Sequence, residues 1–329
     1  MSSLYSDKIN DFLRKYLLLV LMALIIISMS FINSGFLTVA NGINVLRNVS
    51  MQGVLACGMT MMLVSGNIDL SFGSTIGFTG VVIGYTGRAL ISAGTSETIS
   101  ALVGIAIALV ASIVFGCLNA YFVNRWRMPA MMVTIASQFL ILGIAGIISK
   151  GYPTNQFPSW YTIFGKDRIG GEIPVSVVIC IAFFVLFYIM LNKTKFGRTI
   201  YAVGGNQEAA RLSGIKTKKY IYSTYITMQV CGVVAGLIQS SQLNQGSHSY
   251  GGTATFNVIA AVIIGGCGMA GGTGNMKGTI IGLLFLGLIM NALTILNASE
   301  YIQYIVRGAL ILFAIWLTSV QEIRAVANR

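Results

Sequence analysis

Ionisable side chains are rare in this chain, and two short stretches hold the ones able to do chemistry. Charged residues make up 9% of the 329 residues and mean hydropathy is +0.80. "GGNQEAARLSG" (204–214) nevertheless carries Glu208 and Arg211, and "LVSGNIDLSFGS" (63–74) carries Asp69. In the first, Asn206 suits a helix N-cap, Gln207 and Glu208 place acceptor and negative charge in the first turn, and Gly214 supplies the stop. A helix of about seven residues, near 10 Å long, is expected. So short a helix is not stable alone and must be held by neighbours. Resting on anionic headgroups would account for the surrounding lysines but not for the capped "EAARLSG" core.

Asp69 lies between two apolar runs, flanked by Gly66, Asn67, Ser71 and Gly73, so irregular backbone or a helix end is expected there. A charge at membrane depth costs several kcal/mol and faces a cavity or a partner. The alternative is a wetted helix cap in a turn outside the membrane. Gln52, Asn119, Gln138, Gln229 and Asn291 fall inside apolar runs, either as hydrogen-bonding glue between helices or as the lining of a polar path.

Enzyme constellations are scarce. The only histidine, His248 in "NQGSHSYGG", has no carboxylate or cysteine at ligand spacing and reads as a solvated loop residue. Cys57, Cys117, Cys180, Cys231 and Cys267 are scattered through apolar runs without a C-x-x-C pair, so they read as small buried hydrophobes. No metal site is expected. "GCGMAG" (266–271) fits G-x-G-x-x-G, but it lacks the strand, turn and acidic residue of a dinucleotide site, and a broken membrane helix is the better reading. "MKGT" (276–279) lacks the glycine a phosphate loop needs before its lysine. No cofactor is expected in this chain, and any ATP would be bound by another.

The elements that must position these residues are membrane helices. With 55% hydrophobic residues, the chain reads as an all-α integral membrane protein with about ten transmembrane helices. The spans fall near 17–33, 44–64, 74–91, 99–123, 131–149, 174–191, 221–240, 257–271, 278–296 and 302–319. Basic residues gather in one set of loops, at Lys8, Arg14 and Lys15, at Arg125 and Arg127, and through the 192–220 loop. This distribution puts both termini in the cytoplasm. It also accounts for the net charge of +12 without a nucleic-acid partner. The expected organisation is a cytoplasmic segment 1–16, a transmembrane domain 17–319 with a cytoplasmic loop 192–220, and a cytoplasmic tail 320–329. The polar segment 150–173 falls outside, its Trp160 and Tyr161 suited to a membrane interface. Glycines four apart, at Gly73 and Gly77, Gly80 and Gly84, Gly232 and Gly236, and Gly274, Gly278 and Gly282, suit close helix packing. "GSTIG" (73–77) and "GTIIG" (278–282) form a faint internal echo.

Five passages in order resemble the ABC-importer permeases for monosaccharides and the autoinducer-2 signal that are related to the ribose transporter. They are "GMTMMLVSGNIDLSFGS" (58–74), "GCLNAYFVNRWRMPAMMVT" (116–134), "TKFGRTIYAVGGNQEAARLSGI" (194–215), the "EAARLSG" within it, and "NVIAAVIIGGCGMAGGTGNMKGTIIG" (257–282). The resemblance implies that Glu208, Ala209, Ala210 and Gly214, with Arg211 at the surface, form a coupling helix that docks on a cytoplasmic ATPase. It further implies a tandem-domain ABC ATPase that holds ATP and magnesium, an extracytoplasmic solute-binding protein, a second permease subunit, and a place in the bacterial inner membrane. Asn67, Asp69, Asn119 and Asn291 are the candidate translocation-path residues. The chain departs from the family's pattern at Asn67, Pro129-Ala130-Met131, Thr255 and Asn257. An ion-coupled secondary transporter is the alternative, and it would need intramembrane acid or histidine relays, of which Asp69 is nearly the sole candidate.

Overall fold

The computed structural model describes the backbone of residues 18–327. The expected N-terminal segment 1–16, with Lys8, Arg14 and Lys15, lies outside the described residues. The chain is built of helices: α1 (Leu18–Ile32), α2 (Val39–Val64), α3 (Phe72–Ser92), α4 (Glu97–Arg125), α5 (Ala130–Ser149) and α6 (Val175–Lys193). These are followed by α7 (Lys195–Gly205), α8 (Gln207–Leu212), α9 (Thr217–Leu243), α10 (Gly252–Ile264), α11 (Met276–Ile295) and α12 (Glu300–Ala327). A 3₁₀ turn (Ser159–Phe164) and a small hairpin of β1 (Arg168–Ile169) and β2 (Ile173–Pro174) fill the α5–α6 connection.

Helices α4, α5, α6, α9 and α11 are long and apolar enough to cross a membrane, and α1 and α10 are shorter apolar helices. Leu102 and Val110 of α4, Leu140 of α5 and Ile181 of α6 point outward and exposed, as contact with lipid requires. Helices α2 and α3 are central instead. Every residue from Gly53 to Val64 is buried, and so is every residue from Phe72 to Gly84. Because they are screened from lipid, they can carry Thr60, Thr75 and Thr79 in full burial.

Two breaks shape the interior. Helix α2 ends in a Schellman motif: Gly66 takes φ +74° and donates to the Leu63 carbonyl (2.9 Å), while Asn67 N–H reaches Met62 O (3.0 Å). Five residues later the chain re-enters helix as α3. Helix α9 ends in the same way at Asn244 (φ +52°), and the non-helical segment 244–251 then leads to α10. The two new helices meet at their starts, where a Cβ on Gly73 would lie 2.1 Å from Thr255 Oγ1 and 2.9 Å from the Gly251 carbonyl.

The glycine face of α3 therefore receives an extended chain, not a helix. Gly77 abuts the His248 and Ser247 carbonyls, Gly80 abuts Gly246, and Gly84 abuts Thr154. Gly232 and Gly236 do pack helix on helix, against Thr75 and Thr79 of α3, while Gly278 packs on Gly265, just past α10, and Gly282 on Ala261 of α10. The echoing segments 73–77 and 278–282 thus meet different partners: Gly77 faces the segment at Ser247 and His248, whereas Gly278 and Gly282 face Gly265 and Ala261.

Several expectations need correction. The eighth span is helical over Gly252–Ile264 and not over 257–271, because Gly266 (φ +91°) ends it and "GCGMAG" forms the α10–α11 connection. His248 is not a solvated loop residue: it sits half-buried in the segment beside α3, its Nδ1 without a partner. Tyr161 is buried against α9, its hydroxyl 2.8 Å from Ser240 Oγ, and not at a membrane surface.

Candidate functional site

Helix α8 begins where Asn206 Oδ1 accepts from Ala209 N–H (2.9 Å) and ends at Gly214 (φ +81°), one residue shorter than the expected helix. Ala210 is its buried foot, while Glu208, Ala209, Arg211 and Gly214 are exposed and Leu212 is 74% exposed. Arg211 Nε donates to Glu208 Oε2 (3.0 Å), and this hydrogen bond holds the Glu208 carboxyl below the usual carboxylate range. The pair stiffens one turn at the surface, and Leu212 stands exposed beside it.

Behind α8 lies a junction made of backbone. A Cβ on Gly204, in the last turn of α7, would sit 1.8 Å from the Val64 carbonyl and 2.8 Å from Gly272 N. Gly272 N–H itself donates to Val64 O (2.9 Å). Gly271, at φ +91°, lies against Gly66 and Gly204, and Tyr201 hydroxyl donates to Gly274 O (2.7 Å). The ends of α2, α7 and the α10–α11 connection are thus joined at the last turn of α7, which α8 follows after Asn206. Side chains would have to be absent for that approach, which explains the run of glycines.

Asp69 is fully buried in the α2–α3 break. Its Oδ1 accepts from Ser71 N–H (2.8 Å) and Ser71 Oγ–H (2.6 Å), and its Oδ2 accepts from Gln229 Nε2 (2.8 Å). Gln229 also reaches Ser71 Oγ (2.7 Å) and accepts from Thr75 Oγ1. Asn119 Nδ2 donates to Ser71 Oγ (3.0 Å) while Ser137 donates to Asn119 Oδ1. This knot ties the break to α4, α5 and α9, and Asp69 is not a wetted cap.

A polar cavity of ≈ 230 Å³ opens between α2, α10, α11 and α12. Asn48 and Gln52 of α2, Asn257 of α10, Asn291 of α11, and Gln303 and Arg307 of α12 line it. Asn291 and Asn41 exchange side-chain hydrogen bonds at 2.9 and 3.1 Å, which fixes the Asn291 amide at the wall. Such a wall of amides can give and accept hydrogen bonds with hydroxyls while the helices around it stay apolar.

Of the four path residues expected from sequence, Asp69 and Asn119 lie together in the knot, Asn291 lines the cavity, and Asn67 stands apart, donating to Ser65 O (3.1 Å). The coupling residues expected at 208–214 all lie on α8 and its closing turn. Asn48, Asn257, Gln303 and Arg307 were missed as lining. A signal was present: Asn48 with Gln52 and Gln303 with Arg307 each stand four apart in apolar runs, which places each pair on one helix face.

The family described as "Branched-chain amino acid transport system / permease component" matches residues 41–315. The chain is 34% identical over 301 residues to the ribose import permease protein of Escherichia coli (strain K12), covering 91% of this chain and 90% of that one. It is 30% identical to the xylose transport system permease protein of Haemophilus influenzae (strain ATCC 51907 / DSM 11121 / KW20 / Rd), covering 93% and 96%. To the L-arabinose transport system permease protein of Escherichia coli (strain K12) it is 31% identical, covering 92% and 89%. No solved structure matches.

Proposed function

The chain belongs to this family of transport-system permease components, and from that premise we propose that it is the membrane subunit of an ATP-driven importer for a monosaccharide or related small polyol. In this reading it is not itself an enzyme: ATP and magnesium are bound by a tandem-domain ATPase on the cytoplasmic side. An extracytoplasmic binding protein delivers solute, and a second permease subunit completes the path in the bacterial inner membrane. Ten spans cross the bilayer with both termini on the α8 side, the domain running over 17–319 between the segment 1–16 and the tail 320–329.

The observation that carries the reading is α8: a capped, exposed helix with an outward Leu212, continuous with the last turn of α7, which packs on the ends of α2 and the α10–α11 connection. An ATPase that grips Glu208, Ala209, Arg211 and Gly214 moves those ends with it, with Ala210 as the buried pivot. Packed interiors have discrete arrangements, so such a movement switches the bundle between outward and inward openings. Solute then passes the amide-lined cavity at Asn291. We assign Asp69 and Asn119 to fixing the α3 break beside that path, and Asn67 to its cytoplasmic end.

Extraction of the tagged protein in mild detergent, followed by mass spectrometry, tests the reading. A stoichiometric ATPase with two nucleotide-binding halves is expected, lost on Glu208→Lys and uncoupled on Gly214→Pro while the permease stays folded. Recovery of the chain without an ATPase, under conditions that hold a control importer together, contradicts it.

A further inference from the structure

The cavity between α2, α10, α11 and α12 is polar but not electrically neutral. Arg307, half-buried on α12, has its Nε 3.3 Å from Met290 Sδ and its guanidinium 5.6 Å from the Tyr304 ring centre. A thioether and an aromatic face screen the charge without cancelling it. Among the described residues, no carboxylate lines the cavity. The nearest acid on α12, Glu300, is seven residues nearer the helix start, which is about 10 Å along the axis and too far to pair.

A half-buried guanidinium among apolar helices is tolerated where it meets water or an anion. The other polar groups of the wall are amides and a hydroxyl, which bind neutral hydroxyls as readily as water. We infer that Arg307 is a charge-selecting residue of the permease: it makes the cavity admit neutral or anionic small solutes and reject cations. Discrimination by charge then resides in the membrane subunit as well as in the binding protein. The inference rests on the proposed role of the cavity as part of the solute path, but its test does not depend on ATP-driven transport. Fixed charges at constrictions select ions in this way in other membrane pores.

The test uses the complete importer in proteoliposomes, with Cys117→Ser leaving only the buried native cysteines and Thr294→Cys as reporter. Thr294 lines the cavity, is exposed, and bonds only to the Met290 carbonyl of its own helix. Two methanethiosulfonates of matched size are applied, the sulfonatoethyl anion and the trimethylammonioethyl cation, and their rates are normalised to those with free 2-mercaptoethanol. The anion is expected to react at least about tenfold faster than the cation, because one fixed unit charge at several ångströms attracts the first and repels the second. Arg307→Gln brings the ratio to about one, and Arg307→Lys keeps it. Raising the salt from about 0.01 to 1 M shortens the screening length from about 30 to 3 Å and collapses the ratio without any change at Arg307. A ratio near one with Arg307 present, a ratio indifferent to both salt and Arg307→Gln, or a Thr294→Cys thiol that reacts with neither reagent overturns the inference. Loss of ATP-driven uptake with the ratio intact would instead refute the importer reading alone.

Discussion

Gln229→Leu is the substitution that most sharply tests how the interior is held. Leucine nearly preserves the volume but removes the donor to Asp69 Oδ2 (2.8 Å), the donor to Ser71 Oγ (2.7 Å) and the acceptor for Thr75. Asp69 has no accessible surface, so Oδ2 cannot turn to water. A hydrogen bond to a charged group is worth about 1.5–3 kcal/mol and each neutral one about 1 kcal/mol. The sum, about 3–5 kcal/mol, agrees with the cost of stranding a buried charge. At about 2 °C per kcal/mol for a chain of this size, the apparent midpoint should fall by about 6–10 °C. The assay is the fraction remaining monodisperse by size exclusion after heating in detergent. The double variant Asp69→Leu with Gln229→Leu removes both partners and should cost less than the two single changes together, by about 1–3 kcal/mol. A midpoint shift under about 2 °C for Gln229→Leu, or strict additivity in the double variant, would refute the reasoning.

Gly204→Ala drives a methyl into the Val64 carbonyl, whereas Gly205→Ala meets nothing within 4 Å, so the first should lower uptake at least tenfold and the second leave it unchanged. Equal uptake by both would remove the backbone junction from the coupling route. Glu208 has its carboxyl lowered by Arg211, so the pair is fully formed above the ordinary carboxylate pKa and is lost only as pH falls through the lowered value. The ratio of Glu208→Gln to unaltered uptake should therefore be constant from about pH 6 to 8, and a slope in that window would contradict the assignment. Asn291→Ala deletes the reciprocal bonds to Asn41 and widens the cavity, and we expect a several-fold rise in the KM for uptake. An unchanged KM would take Asn291 off the path.

Local signals were readable where a short segment determines its own geometry. Asn206 and Gly214 bound α8 because capping and a left-handed stop act within a few residues, and the buried cysteines Cys57, Cys180, Cys231 and Cys267 follow from their apolar runs. What escaped depends on distant chain. Gly73, Gly77 and Gly80 carry the small-residue spacing of helix packing, yet the partner is the extended segment 246–251, a pairing that no local pattern encodes. Asp69 and Asn119 stand fifty residues apart in sequence and from Gln229 by more than a hundred, so their shared knot was invisible from spacing. Arg307 lies in the last apolar run, where nothing in its own neighbourhood tells which way it faces. Its four-residue offset from Gln303 marked a polar face, but only the fold shows which helices that face meets.

The central claim is that ATP hydrolysis by a partner, delivered through α8, moves solute through this chain. Its most direct test is uptake of radiolabelled ribose, xylose and L-arabinose into proteoliposomes holding the co-purified complex, with ATP at the ATPase face and the binding protein at the other. The account predicts accumulation of at least one sugar that requires ATP, persists with a protonophore, and disappears on Glu208→Lys. Uptake that runs without ATP and collapses with the protonophore would contradict it and make the chain an ion-coupled transporter.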